Sequence, residues 1–332
     1  MRSTHLLLTP LLAPGLTSAK AYPSGVSDAL ALTQPYYPPT ADCWEYKVPV
    51  TITSENLVFN FPDWKDDYAL QDFLTAATTR ASAGYPSPIT GTKNETETFT
   101  LAASFCTPKK SNKKKTARTH WNSAYEPDKY NFVQHAISQG YSVWFYDRLG
   151  TGESEKFVSL VSLLRKQKTI LVELAKLVKN GQYTGTLGKP NKLAVMGFSF
   201  GSFITHFAVA ENPDIADAAI LTAINYNTTG LNANGLVRSF VPRVASLQNP
   251  RRFGLLDPGY LTWVDSAITG KTDYIICDGE CEGIFEEPAR TIWKNAKFQP
   301  YLHPHASHNF NFHHNATGAY KVITNFLESN GL

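Results

Sequence analysis

The sequence predicts an α/β fold: a mostly parallel sheet flanked by helices, with a small lid insertion. Three observations point to it. Strand and helix signals alternate from Gly140 onward. A turn, Gly197-Phe198-Ser199-Phe200-Gly201, separates a short apolar run from a helical segment. Two alternating, β-branched stretches lie well upstream of both. At 332 residues the chain is long enough to bury a large core.

In chain order, Arg2, the apolar stretch Leu6 to Leu16 and the small residues ending at Ala19-Lys20-Ala21 read as a secretory signal peptide over residues 1–21, cleaved after Ala21 or Ala19. The remaining 22–332 form the folded domain. Lys47 to Thr53 and Glu97 to Phe105 alternate as strands and are expected to pair as an antiparallel edge. Between them, Trp64 to Ala83 reads as a helix broken by Gly84-Tyr85-Pro86. The basic run Lys109 to Arg118 lacks interleaved aromatics and is read as a solvated loop, not as a polyanion patch. Tyr141 to Tyr146 is a strand, Val158 to Lys179 a helix, and Lys192 to Met196 a strand. Ser202 to Ala210 is a helix stopped by Asn212-Pro213, Ala216 to Ala223 a strand, and Ala319 to Ser329 the closing helix. Residues 225–263, rich in Asn, Pro and Arg, are read as a lid or a surface insertion.

A net charge of +3 gives no argument for a nucleic-acid partner, and no later run is long enough to span a membrane. Four cysteines suit an oxidising compartment, and the simplest pairing is Cys43 with Cys106 and Cys277 with Cys281. Asn94, Asn227 and Asn315 begin glycosylation acceptor triplets.

Glycines flanking Ser199 between strand and helix allow a sharp turn that lifts the hydroxyl clear of the sheet. A serine nucleophile needs a base, and the base needs an acid, expected in the order Ser, acid, His. Of nine histidines, His303, His305, His308, His313 and His314 crowd the stretch before the last helix. His308 is the expected base, with His305 and His313 as alternatives; His206 is expected to pack. The same cluster has no acidic or cysteine ligand beside it, which argues against a metal site. Asp273 is the expected acid, with Asp278 and Asp265 as alternatives. The stretch Asp147 to Ser154 is read as a structural turn beside the site.

These features, Asp147-Arg148-x-Gly150-x-Gly152-x-Ser154, Gly197-x-Ser199-x-Gly201 and the late His308, resemble the α/β-hydrolase superfamily, and in particular its secreted filamentous-fungal members. The resemblance runs from about Gly140 to Thr222 and from His308 to the end. It implies an eight-stranded, mostly parallel sheet, a triad of Ser199, Asp273 and His308, and ester cleavage of a small molecule without a cofactor. The N–H of Phe200 would be one oxyanion donor. The second usually follows an apolar strand ending in His-Gly. Here the basic run and Thr119-His120-Trp121-Asn122 stand in that place. Either another loop supplies the donor or the chain is a hydrolase-like binding protein of weak or no activity.

Overall fold

The computed structural model describes residues 36–60, 64–78, 89–109, 115–117, 122–156, 163–224, 226, 240–248, 261–265, 281, 286–304, 306 and 308–332. The expected signal peptide, Cys277, Asp273, Asp278 and His305 lie outside them. Among the described residues the main sheet has six strands: β1 (Ala41–Phe59), β2 (Ile89–Pro108), β3 (Lys115–Ala117), β4 (Ser142–Tyr146), β5 (Lys192–Phe198) and β6 (Ala218–Thr222), in the order β1-β2-β4-β3-β5-β6. β1 pairs antiparallel with β2, and β2 with β4, while β4, β3, β5 and β6 run parallel. The sheet is therefore mixed.

The helices are α1 (Asp67–Thr78), α2 (Pro127–Tyr130), α3 (Phe132–Ser138), α4 (Leu163–Lys179), α5 (Phe200–Glu211), α6 (Ala245–Gln248), α7 (Glu286–Ile292) and α8 (Ala316–Ser329). Period-two alternation along the strands sorts the core onto two faces. On one, Leu193 and Val195 of β5, Trp144 of β4 and Val48, Val50 and Ile52 of β1 meet the stripe Ile170, Leu174 and Val178 of α4 and Ile204 and Ala208 of α5. On the other, Ala194, Val143 and Cys106 meet Phe132, Val133 and Ala136 of α3 and Tyr320, Ile323 and Leu327 of α8.

Two differences from the sequence reading are informative. The edge strands pair as expected, with Val50 opposite Phe99, but extend to 19 and 20 residues because polar cross-strand pairs continue the ladder beyond the core. Thr51 with Thr98 and Thr53 with Thr96 each approach to 2.8 Å through their hydroxyls. More consequentially, the basic run is not all loop: Lys115-Thr116-Ala117 is β3, an interior strand paired on both sides with β4 and β5. Three residues without apolar periodicity give no strand signal, and pairing alone makes them one.

Within the expected lid, β7 (Phe240–Val244) and β8 (Leu261–Asp265) form a separate antiparallel pair. It is joined to α1, since Val244 N–H donates to Asp67 Oδ1 at 3.0 Å and Val244 is buried with Trp64 and Leu70. No helix among the described residues is long and apolar enough to cross a membrane.

Cys43 and Cys106 face each other in register and are disulfide-bonded. Cys281 is disulfide-bonded as well. The first bridge closes a loop between residues 63 apart. Replacing both Cys43 and Cys106 with serine is expected to lower stability by about 2–4 kcal/mol, read as a lower urea midpoint; an unchanged midpoint contradicts it.

Candidate active site

β5 ends at Phe198 and α5 starts at Phe200, so Ser199 makes the turn alone. Its backbone adopts φ 51° and ψ −119°, a region that costs a non-glycine residue about 1–3 kcal/mol. Gly197 is what permits this: a Cβ there would lie 2.3 Å from the carbonyl oxygen of Gly201 and 2.6 Å from Ser202 Cα. A Cβ on Gly201 would meet nothing within 4 Å. The two glycines are not equivalent, and only the first is required by space.

The strained turn is fastened to the end of β6. Ser199 N–H donates to the Thr222 carbonyl at 2.9 Å, and Ser202 Oγ donates to the same oxygen at 2.6 Å. Thr222 returns two bonds, its N–H to Ser202 Oγ at 2.9 Å and its hydroxyl to the Gly197 carbonyl at 2.8 Å. Sequence reasoning missed Ser202 and Thr222. Their role follows from the parallel register that sets Phe198 opposite Thr222, which no local motif encodes.

As the residue preceding α5, Ser199 would ordinarily cap the helix with its side chain, but it makes no such bond. Its Oγ instead lies 2.7 Å from Nε2 of His308, 109 residues later. The imidazole sits against the Phe198 ring, centroids 5.3 Å apart, and Phe198 also contacts buried Phe310. The short helical turn Phe310–Phe312 then leads toward α8, whose buried face anchors the segment.

The structure does not bring the other described histidines to Ser199. His206 packs on Trp293 and has Nδ1 3.4 Å from the Tyr226 hydroxyl; burial pushes its pKa below the ordinary value. His303 pairs through Nδ1 with Tyr301 at 3.2 Å, and burial, partly opposed by the Asn315 backbone, pushes it down too. Burial likewise lowers His313. Among the carboxylates, Asp265 closes β8 opposite Phe240, in the sheet that packs with α1 and not in the sheet carrying Ser199. Among the described residues no group of three His, Cys, Asp or Glu is placed to hold a metal.

Asp147 to Ser154 is a self-closing turn after β4. Asp147 accepts the Glu153 N–H at 2.8 Å, and Ser154 Oγ donates to the Asp147 carbonyl at 2.6 Å while accepting the Ala102 N–H at 2.9 Å. At Gly152, φ is 49° and a Cβ would fall 2.0 Å from the Asp147 carboxylate. The turn borders the site through Arg148, whose Cζ lies 5.3 Å from the centre of the Phe200 ring. Burial draws the guanidinium pKa below its ordinary value.

No family model matches the chain, and no curated protein sequence matches it. Among solved structures it is similar to an esterase of Pyrococcus furiosus at 14% identity, over 70% of this chain and 88% of that one, with a TM-score of 0.44. It is also similar to an enol-lactonase of Burkholderia xenovorans at 16% identity, over 69% and 97% of the two chains, TM-score 0.42. An α/β-hydrolase-fold protein of Chitinophaga pinensis matches at 12% identity over 69% and 94%, TM-score 0.40. All three scores lie below 0.5, so the geometry at Ser199 and His308, not the likeness, carries the function proposed next.

The unequal glycines give a direct test. Gly197→Ala is expected to disrupt the turn and lower the melting temperature by several degrees, whereas Gly201→Ala leaves it near that of the unchanged protein. Equal effects would contradict the steric assignment.

Proposed function

We propose that this chain is a secreted serine hydrolase of the α/β-hydrolase superfamily that cleaves carboxylic esters through an acyl-enzyme. The observation that carries the reading is the 2.7 Å approach of Ser199 Oγ to His308 Nε2 at a strained strand-to-helix turn. In the tautomer protonated at Nδ1, Nε2 accepts the Ser199 proton as Oγ attacks the ester carbonyl carbon. The oxyanion so formed accepts the N–H of Phe200, which, as the first residue of α5, has no partner within the helix. His308 then gives its proton to the departing alcohol. A water molecule, deprotonated by His308 in turn, attacks the acyl carbon and frees Ser199 and the acid. Asp273 is the proposed acceptor of the His308 Nδ1–H, in keeping with the order Ser, acid, His.

The second oxyanion donor of such enzymes comes from the loop after the third strand. β3 lies directly beside β5; residues 118–121, which follow it in sequence, lie outside the described residues. The chemistry requires neither metal nor cofactor, and the substrate is a small molecule. Secretion is supported by the N-terminal pattern of residues 1–21, by the Cys43–Cys106 bridge, and by Asn94 and Asn315, which are exposed at acceptor triplets.

Two measurements test the proposal. A fluorophosphonate probe is expected to label the purified protein at Ser199, and Ser199→Ala to remove the label; an unlabelled protein is instead the hydrolase-like binder. His308→Gln is expected to lower kcat/KM on a p-nitrophenyl ester by at least about a thousandfold. Separately, N-terminal sequencing of the protein recovered from culture medium is expected to begin at Tyr22 or Lys20. Retention of residues 1–21 would refute the secretory reading.

A further inference from the structure

We infer that Arg148 recognises a carboxylate on the substrate, so that the preferred ester carries a negative charge on its acyl side. This deepens the proposed hydrolase reading and rests on it. β3 is flanked by β4 on one side and β5 on the other, so the strand order reverses there, and the carboxyl ends of the strands at such a reversal are where ligands bind in open α/β sheets. Arg148 follows the carboxyl end of β4, and Ser199 and Phe200 follow that of β5. The guanidinium lies over the Phe200 ring, next in sequence to the nucleophile.

A guanidinium beside an aromatic face still carries five N–H donors in one plane for a further partner. Among the described residues none of those donors is hydrogen-bonded or ion-paired. Two acids of the turn bond backbone N–H groups. Asp147 accepts the Glu153 N–H, and Glu155 accepts the Thr100 N–H at 2.8 Å. The other cation of the turn is consumed too, since Lys156 Nζ donates to the carbonyls of Thr151, Gly152 and Ser154. Among the described residues this leaves, at the border of the site, a planar, positively charged fork whose geometry matches a carboxylate in two-point contact. A structural arginine would be expected to spend its donors on the surrounding backbone, as Lys156 does.

A matched pair of esters reads the inference: mono-p-nitrophenyl adipate, which is anionic, and p-nitrophenyl hexanoate, which is neutral and equally long. In the unchanged protein kcat/KM is expected to favour the adipate ester. Arg148→Gln is expected to lower the adipate-to-hexanoate ratio about tenfold to a hundredfold, chiefly through KM. Arg148→Lys, retaining the charge without the fork, should restore part of it. A ratio unmoved by Arg148→Gln, including an equal loss on both esters, overturns the assignment. If neither ester is turned over, the ester-hydrolase reading fails on its own, and calorimetry decides the inference. Ser199→Ala protein should then bind monomethyl adipate and lose that binding with Arg148→Gln; equal or absent binding overturns it.

Discussion

Ser199 occupies a backbone conformation that its side chain disfavours, and the rest of the site depends on its being held there. The cost is of order 1–3 kcal/mol. It is offset by four hydrogen bonds among Gly197, Ser199, Ser202 and Thr222, each worth about 0.5–1.5 kcal/mol net. The strain has a chemical return. With positive φ, Ser199 does not cap α5 with its side chain, so its hydroxyl is turned to His308 and the Phe200 N–H at the helix start is left without an intrahelical partner. In the proposed reaction, nucleophile presentation and oxyanion stabilisation are thus two consequences of one dihedral angle.

His308, the proposed base, is placed by a different part of the core. α8 presents Tyr320, Ile323 and Leu327 to the face also covered by α3, and Tyr320 meets Phe132 edge-on at 5.4 Å. His135 of α3 and Thr324 of α8 approach to 3.3 Å across the same seam. Burial of this helix pair brings the Phe310 turn, and with it His308, over the end of β5. Because α4 and α5 cover the opposite face, Ser199 and His308 are supported from two sides of the sheet and meet at its carboxyl edge. Loosening α8 should therefore move His308 without disturbing the turn at Ser199.

Much of this was legible in the sequence where one element announces itself. β4, β5 and α5 are contiguous runs with clear periodicity, and the glycine-flanked serine marks their junction. The approach of His308 was readable only through chemistry, as a late histidine required by an early serine. What escaped were features defined by neighbours. β3 carries Lys, Thr and Ala and is a strand because β4 and β5 flank it. Thr222 is an unremarkable strand end until the register sets it opposite Phe198. The motif does not distinguish its two glycines, whereas packing against the start of α5 makes Gly197 obligatory and leaves Gly201 room. For the acid the sequence offered only a short polar segment before Asp273, which falls outside the described residues.

The electrostatics of the carboxyl edge link the strained turn to substrate choice. The chain's net charge of +3 is too small for its length to steer an anion from afar, so any preference must be local. Two local sources exist: the N-terminus of α5, uncapped by Ser199, and the Arg148 guanidinium over Phe200. They act on different groups. In the proposed mechanism the helix terminus meets the oxygen that becomes charged during reaction, so it would lower the barrier for any ester. Arg148 carries a full charge in a partly buried place, where screening by solvent is weaker than at the surface, and it lies over the Phe200 side chain and not at the Phe200 N–H proposed as oxyanion donor. A charge at that remove acts on the ground state and the transition state nearly alike, which is the signature of substrate selection and not of rate enhancement.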